Sequence, residues 1–274
     1  MNLDAYKLSE FPDGQPHIKL EGTAHDIINC SIRTADELVQ VLMLHNILKR
    51  QGFTETQLNL HYLMGGRMDR AISINEPETL KVIGDMITQS GFESVYLTFP
   101  HSQTSLDAIR DKHGRIAERR IGDERSFIKE GINKALNRAN TPTFGYVTPD
   151  AGAEKVFENY HSEFVAQIYR NDITHVPASK VRDMHTGKLS AFRVNADMVP
   201  ETCIIVDDLC DGGGTFMGLA KELRAKGAKF IGLVVYHGIF SKGQSLDGID
   251  FIYTSNSFRQ FWPGASDLVF QEVI

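Results

Sequence analysis

Two adjacent carboxylates, Asp207 and Asp208, follow an apolar run from Cys203 to Val206 and precede three consecutive glycines, Gly212 to Gly214, and Thr215. A strand that ends in a glycine-rich turn and opens a helix makes an anion site. Backbone N–H groups converge at the helix N-terminus, and residues without a Cβ let the chain approach a phosphate closely. The carboxylates cannot bind that phosphate, but they accept hydrogen bonds from sugar hydroxyls. Acid pair and phosphate loop together point to a ribose phosphate. A glycine-rich turn alone is a weak signal, since an Asp pair beside it can simply cap a helix or face water. The ordered whole, running from strand through acids and loop to helix, is far more specific.

Three further residues stand where a parallel sheet presents ligands. Arg67 follows a predicted strand at 58–63, His101 follows one at 93–99, and Asp150 follows one at 143–148. Ligands of open parallel sheets bind outside the carboxyl ends of the strands, so these residues are expected to join Asp207 and Asp208 in one site.

The elements that position them alternate between strand and helix patterns, the signature of parallel sheets covered by helices. A short strand is predicted at 27–31. Thr34-Ala35-Asp36-Glu37 is a capping box, and the helix after it places Leu38, Val41, Leu42, His45 and Leu48 on one face before stopping at Gly52. Pro77 opens a helix carrying Leu80, Ile83 and Ile87 that stops near Gly91. Residues 107–125 are dense in mixed charge and predict a solvated helix or loop. Asn137 to Pro142 reads as a domain link, after which the pattern restarts. A helix after Asp150 and strands at 164–169, 203–206 and 229–236 are expected, with a helix at 215–226 closed by Gly227. The expected division is a first domain over 1–138, a second over 139–257, and a tail, 258–274, that packs back on the first.

The chain has 274 residues, a net charge of −6 and a pI near 5.9, which excludes a globally basic nucleic-acid or membrane surface. Three cysteines, Cys30, Cys203 and Cys210, have no metal-ligand spacing and fit a reducing cytoplasm. No signal peptide or membrane-spanning run is expected.

The acid-pair loop resembles the phosphoribosyl-diphosphate (PRPP) binding motif shared by type I phosphoribosyltransferases and PRPP synthetases. Six other segments resemble the synthetases, the ribose-phosphate pyrophosphokinases. They are Phe11-Pro12-Asp13-Gly14-Gln15, Tyr62 to Arg70, Phe99-Pro100-His101, Thr148 to Ala153, Lys180-Val181-Arg182 and Tyr236 to Ser241. The resemblance implies an α/β fold of two phosphoribosyltransferase-like domains, each a parallel sheet flanked by helices. It implies transfer of the diphosphoryl group of ATP to the anomeric 1-hydroxyl of a ribose 5-phosphate group, releasing AMP, with Mg²⁺. Phe11, Asp13, Gln15, Arg67 and Asp69 would bind ATP, with Phe11 reaching a neighbouring subunit of a homo-oligomer. His101 would hold Mg²⁺ beside the ATP phosphates, and Asp150 a second Mg²⁺ near the ribose. Asp207 and Asp208 would bind the ribose hydroxyls, and Asp211, Gly212, Gly213, Gly214 and Thr215 the 5-phosphate. Lys180 and Arg182, with His101, would act on the transferred group. No nucleic acid or membrane partner is implied.

The sequence departs from the family where Gly212 replaces Thr, removing a hydroxyl donor and a methyl group beside the phosphate. Gln15 replaces Glu, and Phe99-Pro100 replaces Asp-Leu. A roomier loop with one donor fewer suits a phosphodiester, so ADP-ribose stands beside free ribose 5-phosphate as acceptor. The alternative is drift in an ordinary PRPP synthetase. A non-catalytic regulatory subunit and a type I phosphoribosyltransferase are the competing classes.

Overall fold

The computed structural model describes residues 6–182, 189–259 and 269–272, and the chain divides into two compact units at Arg120/Ile121. In the first unit, strands β1 (Tyr6–Glu10) and β2 (Pro16–Leu20) pair as an antiparallel hairpin. Strand β3 (Ile27–Ile32), helix α1 (Ala35–Arg50), strand β4 (Gln57–Leu63), helix α2 (Thr79–Ser90), strand β5 (Ser94–Leu97), short helix α3 (Gln103–Asp107) and strand β6 (Glu118–Arg119) follow. The strands form one parallel sheet in the order β3-β4-β5-β6.

Helix α1 forms as its sequence requires. The Thr34 side chain accepts from the Glu37 N–H, and the buried residues Leu38, Val41, Leu44, His45 and Leu48 recur at helical spacing, with Leu44 rather than the expected Leu42 fully buried and Leu42 partly buried against the same core. Such a cap contributes about 1 kcal/mol. Helix α2 ends on Gly91, which takes the left-handed conformation at φ 77°. The core of this unit joins Ile28, Cys30 and Ile32 of β3 to the α1 face and to Leu58, Leu60, Val95 and Leu97.

The second unit begins with helix α4 (Ile121–Ala139) and strand β7 (Phe144–Thr148). Helix α5 (Ala151–Val156) runs through a π-helical turn, Phe157–His161, into helix α6 (Ser162–Tyr169). Strands β8 (Ile173–Arg182), β9 (Leu189–Val194) and β10 (Thr202–Cys210), helix α7 (Gly214–Ala225), and strands β11 (Phe230–Gly238), β12 (Phe251–Ser255) and β13 (Val269–Glu272) complete it. The sheet order is β13-β12-β11-β10-β7-β8-β9, parallel except for the antiparallel β8–β9 pair. Strands β7 and β12 are buried at every position, as expected for strands covered on both faces.

Three expectations change. The stretch 164–169 is helical, because Val165 and Tyr169 lie four apart on one buried face and the following strand starts at Ile173. A short apolar run does not distinguish the two periods. Helix α4 belongs to the second unit, so the division falls at 120/121 rather than 138/139. It packs on β10, β11 and β12, with Phe127 against Tyr236 and Tyr253 at 4.9 and 4.8 Å between ring centroids. Gly131 permits this approach, since a Cβ there would lie 2.6 Å from Tyr253 and 2.8 Å from Val234. Finally, the described part of the tail, β13, pairs with β12 in the second unit instead of joining the first.

Candidate active site

The second unit has a topological switch point. From β7 the chain moves outward to β8 and β9, and then returns to β10 on the other side of β7 before moving on to β11 and β12. The crevice such a reversal opens lies at the carboxyl ends of β7 and β10. Asp150 follows β7, and Asp207 and Asp208 sit near the end of β10. The acid pair lies inside the strand, not after it, since β10 pairs with β11 through Cys210.

Asp150 caps α5, its Oδ1 accepting from the Gly152 N–H at 2.9 Å and the Ala153 N–H at 3.1 Å. Its Oδ2 accepts from the Lys180 ammonium at 2.6 Å. Burial pushes this carboxyl up, but Lys180 and the two backbone donors outweigh it and hold the group below the ordinary Asp range. Asp207 behaves in the opposite way. Burial first, then the neighbouring Asp208 and Asp150 carboxylates, push it well above the ordinary range. Its Oδ1 accepts from the Asp208 N–H at 2.9 Å.

Behind Asp150 a triad unseen in the sequence locks the first turn of α5. Thr148 donates its hydroxyl to Glu154, and His175 Nε2 lies 3.2 Å from both the Thr148 hydroxyl and the Glu154 carboxylate. His175 also stacks on Phe157 at 4.6 Å. The three residues come from β7, α5 and β8, so no local pattern announces them.

The predicted phosphate loop opens α7. Gly213 is its N-cap at φ 74°, and a Cβ there would lie 2.3 Å from Leu246 Cδ2. Only glycine meets both demands. The loop is not roomier for having Gly212. The Lys242 stem lies over it, with Cδ 3.2 Å and Cε 3.4 Å from where a Cβ would stand. Asp211, Gly212 and Thr215 are partly exposed and Gly214 is exposed. Cys203 and Cys210 are buried, and burial raises each thiol to about 12, so both behave as inert apolar residues.

Lys180 lies on β8, opposite Phe192 of β9. Arg182 ends β8, and its side chain, with residues 183–188, lies outside the described residues.

In the first unit the expected ATP residues occupy an edge and a hairpin tip. Gly66, just past β4, would carry a Cβ 4.0 Å from the His101 Cβ, so the Arg67 and His101 loops adjoin at the carboxyl edge of the sheet. Arg67 and His101 are exposed and Asp69 is half-buried. Phe99, buried two residues before His101, holds φ 48°, a strained conformation for a bulky residue. The Ser102 and Ser105 hydroxyls are buried without a hydrogen-bond partner among the described residues. Phe11, Asp13 and Gln15 form the turn between β1 and β2, with the Phe11 N–H donating to the Gln15 carbonyl at 2.9 Å and Asp13 accepting from the Gln15 N–H at 3.2 Å. Phe11 is 47% exposed.

Among the described residues no group of three or more His, Cys, Asp or Glu side chains is poised to hold a metal ion. The donor chemistry nonetheless fits a hard divalent cation. Asp150, Asp207 and Asp208 supply only carboxylate oxygens, and after burial it is the neighbouring Asp208 and Asp150 carboxylates that push Asp207 up. Both Asp150 oxygens already accept hydrogen bonds, Oδ1 from backbone N–H groups and Oδ2 from Lys180. Among the described residues no helix is long and apolar enough to cross a membrane.

No protein-family model matches the chain. The ribose-phosphate pyrophosphokinase of Mycoplasmopsis pulmonis is 25% identical over 277 residues, covering 95% of this chain and 79% of that protein. The enzyme of the same name from Mycoplasma genitalium is 26% identical, covering 95% and 78%. That from Thermococcus kodakarensis is 24% identical, covering 86% and 79%. Among solved structures, phosphoribosylpyrophosphate synthetase from Mycobacterium smegmatis shares the fold, with a TM-score of 0.74 and 19% identity over 98% of this chain and 86% of that one. The chain is thus similar in sequence to ribose-phosphate pyrophosphokinases along nearly its whole length and shares the α/β fold of a solved PRPP synthetase.

Proposed function

We propose that the protein is a Mg²⁺-dependent pyrophosphokinase that transfers the diphosphoryl group of ATP to the anomeric 1-hydroxyl of a ribose 5-phosphate group and releases AMP. Each of its two units is read as a phosphoribosyltransferase-like domain. The observation that carries the reading is the switch-point cluster, in which a cation, Lys180, sits on a carboxylate, Asp150, beside the acid pair that opens the phosphate loop.

Such transfers depend on positioning and on stabilising phosphoryl charge. Asp207 and Asp208 accept from the ribose 2- and 3-hydroxyls, which fixes the anomeric carbon. The α7 N-terminus and the Thr215 hydroxyl hold the 5-phosphate. Lys180 neutralises charge on the transferred group, aided by Arg182. In the first unit Arg67 stacks on adenine, and Asp13 and Gln15 accept from its amino group. Asp69 and Phe11 complete the ATP site, the exposed Phe11 serving a neighbouring copy of the chain. His101 in the first unit would hold one Mg²⁺ beside the ATP phosphates, and Asp150 in the second would hold another near the ribose; when bound, such ions neutralise phosphate charge and acidify the attacking hydroxyl.

The acceptor is either free ribose 5-phosphate or ADP-ribose. AMP release from ATP and Mg²⁺, with the two acceptors supplied in parallel, tests the reading. Turnover with ribose 5-phosphate alone makes the product PRPP and Gly212 a neutral change. Turnover with ADP-ribose yields ADP-ribose pyrophosphate, a precursor suited to rebuilding NAD. Silence with both sinks the reading in favour of a non-catalytic regulatory subunit, and diphosphate release from PRPP with a nucleobase would favour a phosphoribosyltransferase.

A further inference from the structure

We propose that Lys242 determines acceptor specificity, reading a second phosphate joined to the one held by the 211–215 loop; the inference rests on the reading of that loop as the acceptor's phosphate site. Three successive methylenes of Lys242, Cγ, Cδ and Cε, lie 3.5, 3.2 and 3.4 Å from the position a Gly212 Cβ would occupy. The stem therefore fills the space that a side chain at 212 would take. One C–N bond of about 1.5 Å separates Cε from the ammonium, which puts the charge within about 5 Å of that position. Lys242 is exposed, and among the described residues it forms no ion pair.

This placement is built into the fold. The Ile239 and Phe240 N–H groups both donate to the Cys210 carbonyl, at 2.8 and 3.2 Å, tying the turn before Lys242 to the residue that precedes the loop. Phe240 is buried at φ 45°, and the Gly243 N–H closes the turn on the Phe240 carbonyl at 3.0 Å. Four residues after Lys242, Leu246 rests on Gly213. Segment 239–246 thus lays the Lys242 stem over Gly212 and Leu246 against Gly213.

The chemistry of the exchange selects a substrate class. A phosphomonoester presents three terminal oxygens at one phosphorus and is satisfied by donors close around it. The inner phosphate of a diphosphate ester has two terminal oxygens, and its remaining charge sits on the next phosphate. Gly212 offers one donor fewer at the first phosphate than a hydroxyl-bearing residue would. Lys242 adds a point charge on a flexible stem that reaches past the backbone N–H groups. One local donor fewer and one longer cation more suit an acceptor in which ribose 5-phosphate continues into a phosphoric anhydride.

Calorimetric titration of ADP-ribose and of ribose 5-phosphate into the full chain tests this without requiring turnover. Lys242→Met keeps the apolar stem over Gly212 and removes only the charge. It is expected to weaken ADP-ribose binding by about 10- to 100-fold and ribose 5-phosphate by less than about threefold. Gly212→Thr crowds the stem aside and is expected to narrow the preference for ADP-ribose by about tenfold. Unchanged ADP-ribose affinity in Lys242→Met, equal weakening of both ligands, or a wild type that binds neither would each overturn the assignment. A wild type that binds ADP-ribose yet releases no AMP with either acceptor overturns the pyrophosphokinase reading alone, and the Lys242 assignment then stands or falls on the binding ratio.

Discussion

The two units carry their expected ligand residues in different ways. The sheet of the first runs in chain order, β3-β4-β5-β6, without a reversal, and its expected ligand residues, apart from the half-buried Asp69, stand exposed on loops and on a hairpin tip. The sheet of the second reverses between β7 and β10, and there the carboxylates are drawn inward, tied to Lys180 and to backbone donors, and shifted in opposite directions. The contrast teaches that a switch point supplies enclosure without special sequence, whereas a sequential sheet must build its site from projecting loops. Backbone strain marks both units: Phe99 before His101, and Phe240 against the phosphate loop.

Four experiments would break or sharpen this comparison. The largest effect is expected from Lys180→Ala, which removes the cation at the switch point. It should lower kcat by about 10²–10⁵ while ATP binding, placed in the first unit, stays largely intact. Surviving turnover would show that the cation acting on the transferred group lies elsewhere.

Stability should respond to pH in the first unit through His45. This ring is 3% exposed and stacks on Phe92 at 3.9 Å, and burial, aided by Lys49, lowers its pKa to about 4. The unfolded chain holds the proton below about 6.5, so between 6.5 and 4 it binds more protons than the folded chain does. Stability is therefore present above that window and is lost as pH falls through it, by up to about 3 kcal/mol. Hydrogen exchange across α1 in wild type and His45→Leu should show the slope in the first and not in the second. An equal slope in both would place the titration on another group.

In the second unit Gly213→Ala must accept φ 74° and press its Cβ on Leu246. A loss of about 2 kcal/mol in urea unfolding is expected, with acceptor affinity falling alongside it. Loss of stability with acceptor affinity intact would mean that the loop does not hold the phosphate.

The smallest effect is at the hairpin tip. Phe11→Ala should leave Tm nearly unchanged, within about 0.5 kcal/mol of wild-type stability, because the ring is half-exposed. The KM for ATP should rise about tenfold if an adenine rests on it. An unchanged KM removes Phe11 from the ATP site and, with it, the case for a neighbouring copy completing that site.

Much of this was legible from residue order. Thr34 and Glu37 mark the start of α1, and Gly91 and Gly227 mark where α2 and α7 stop, because caps are local chemistry. The run Cys203 to Thr215 announces its strand, acids and loop for the same reason. The stretch 164–169 reads as a strand yet lies in helix α6, because a few apolar residues fit either period. The charge of helix α4 says nothing about which sheet lies beneath it, and only packing puts it in the second unit. Gly212 pointed to an open loop because the residue that fills it lies thirty positions away.

The sequence by itself therefore determined the alternation of strand and helix, the acid pair with its glycine loop, and the set of polar residues at strand ends. These depend on periodicity, caps and backbone freedom within a few residues. The tertiary structure alone decided that β10 returns beside β7, that Lys180 rests on Asp150, that Asp207 is driven above its ordinary range, and that Lys242 lies over Gly212. Each of these joins residues far apart in the chain. Burial and charge proximity are properties of the packed sheet, and no local pattern encodes them.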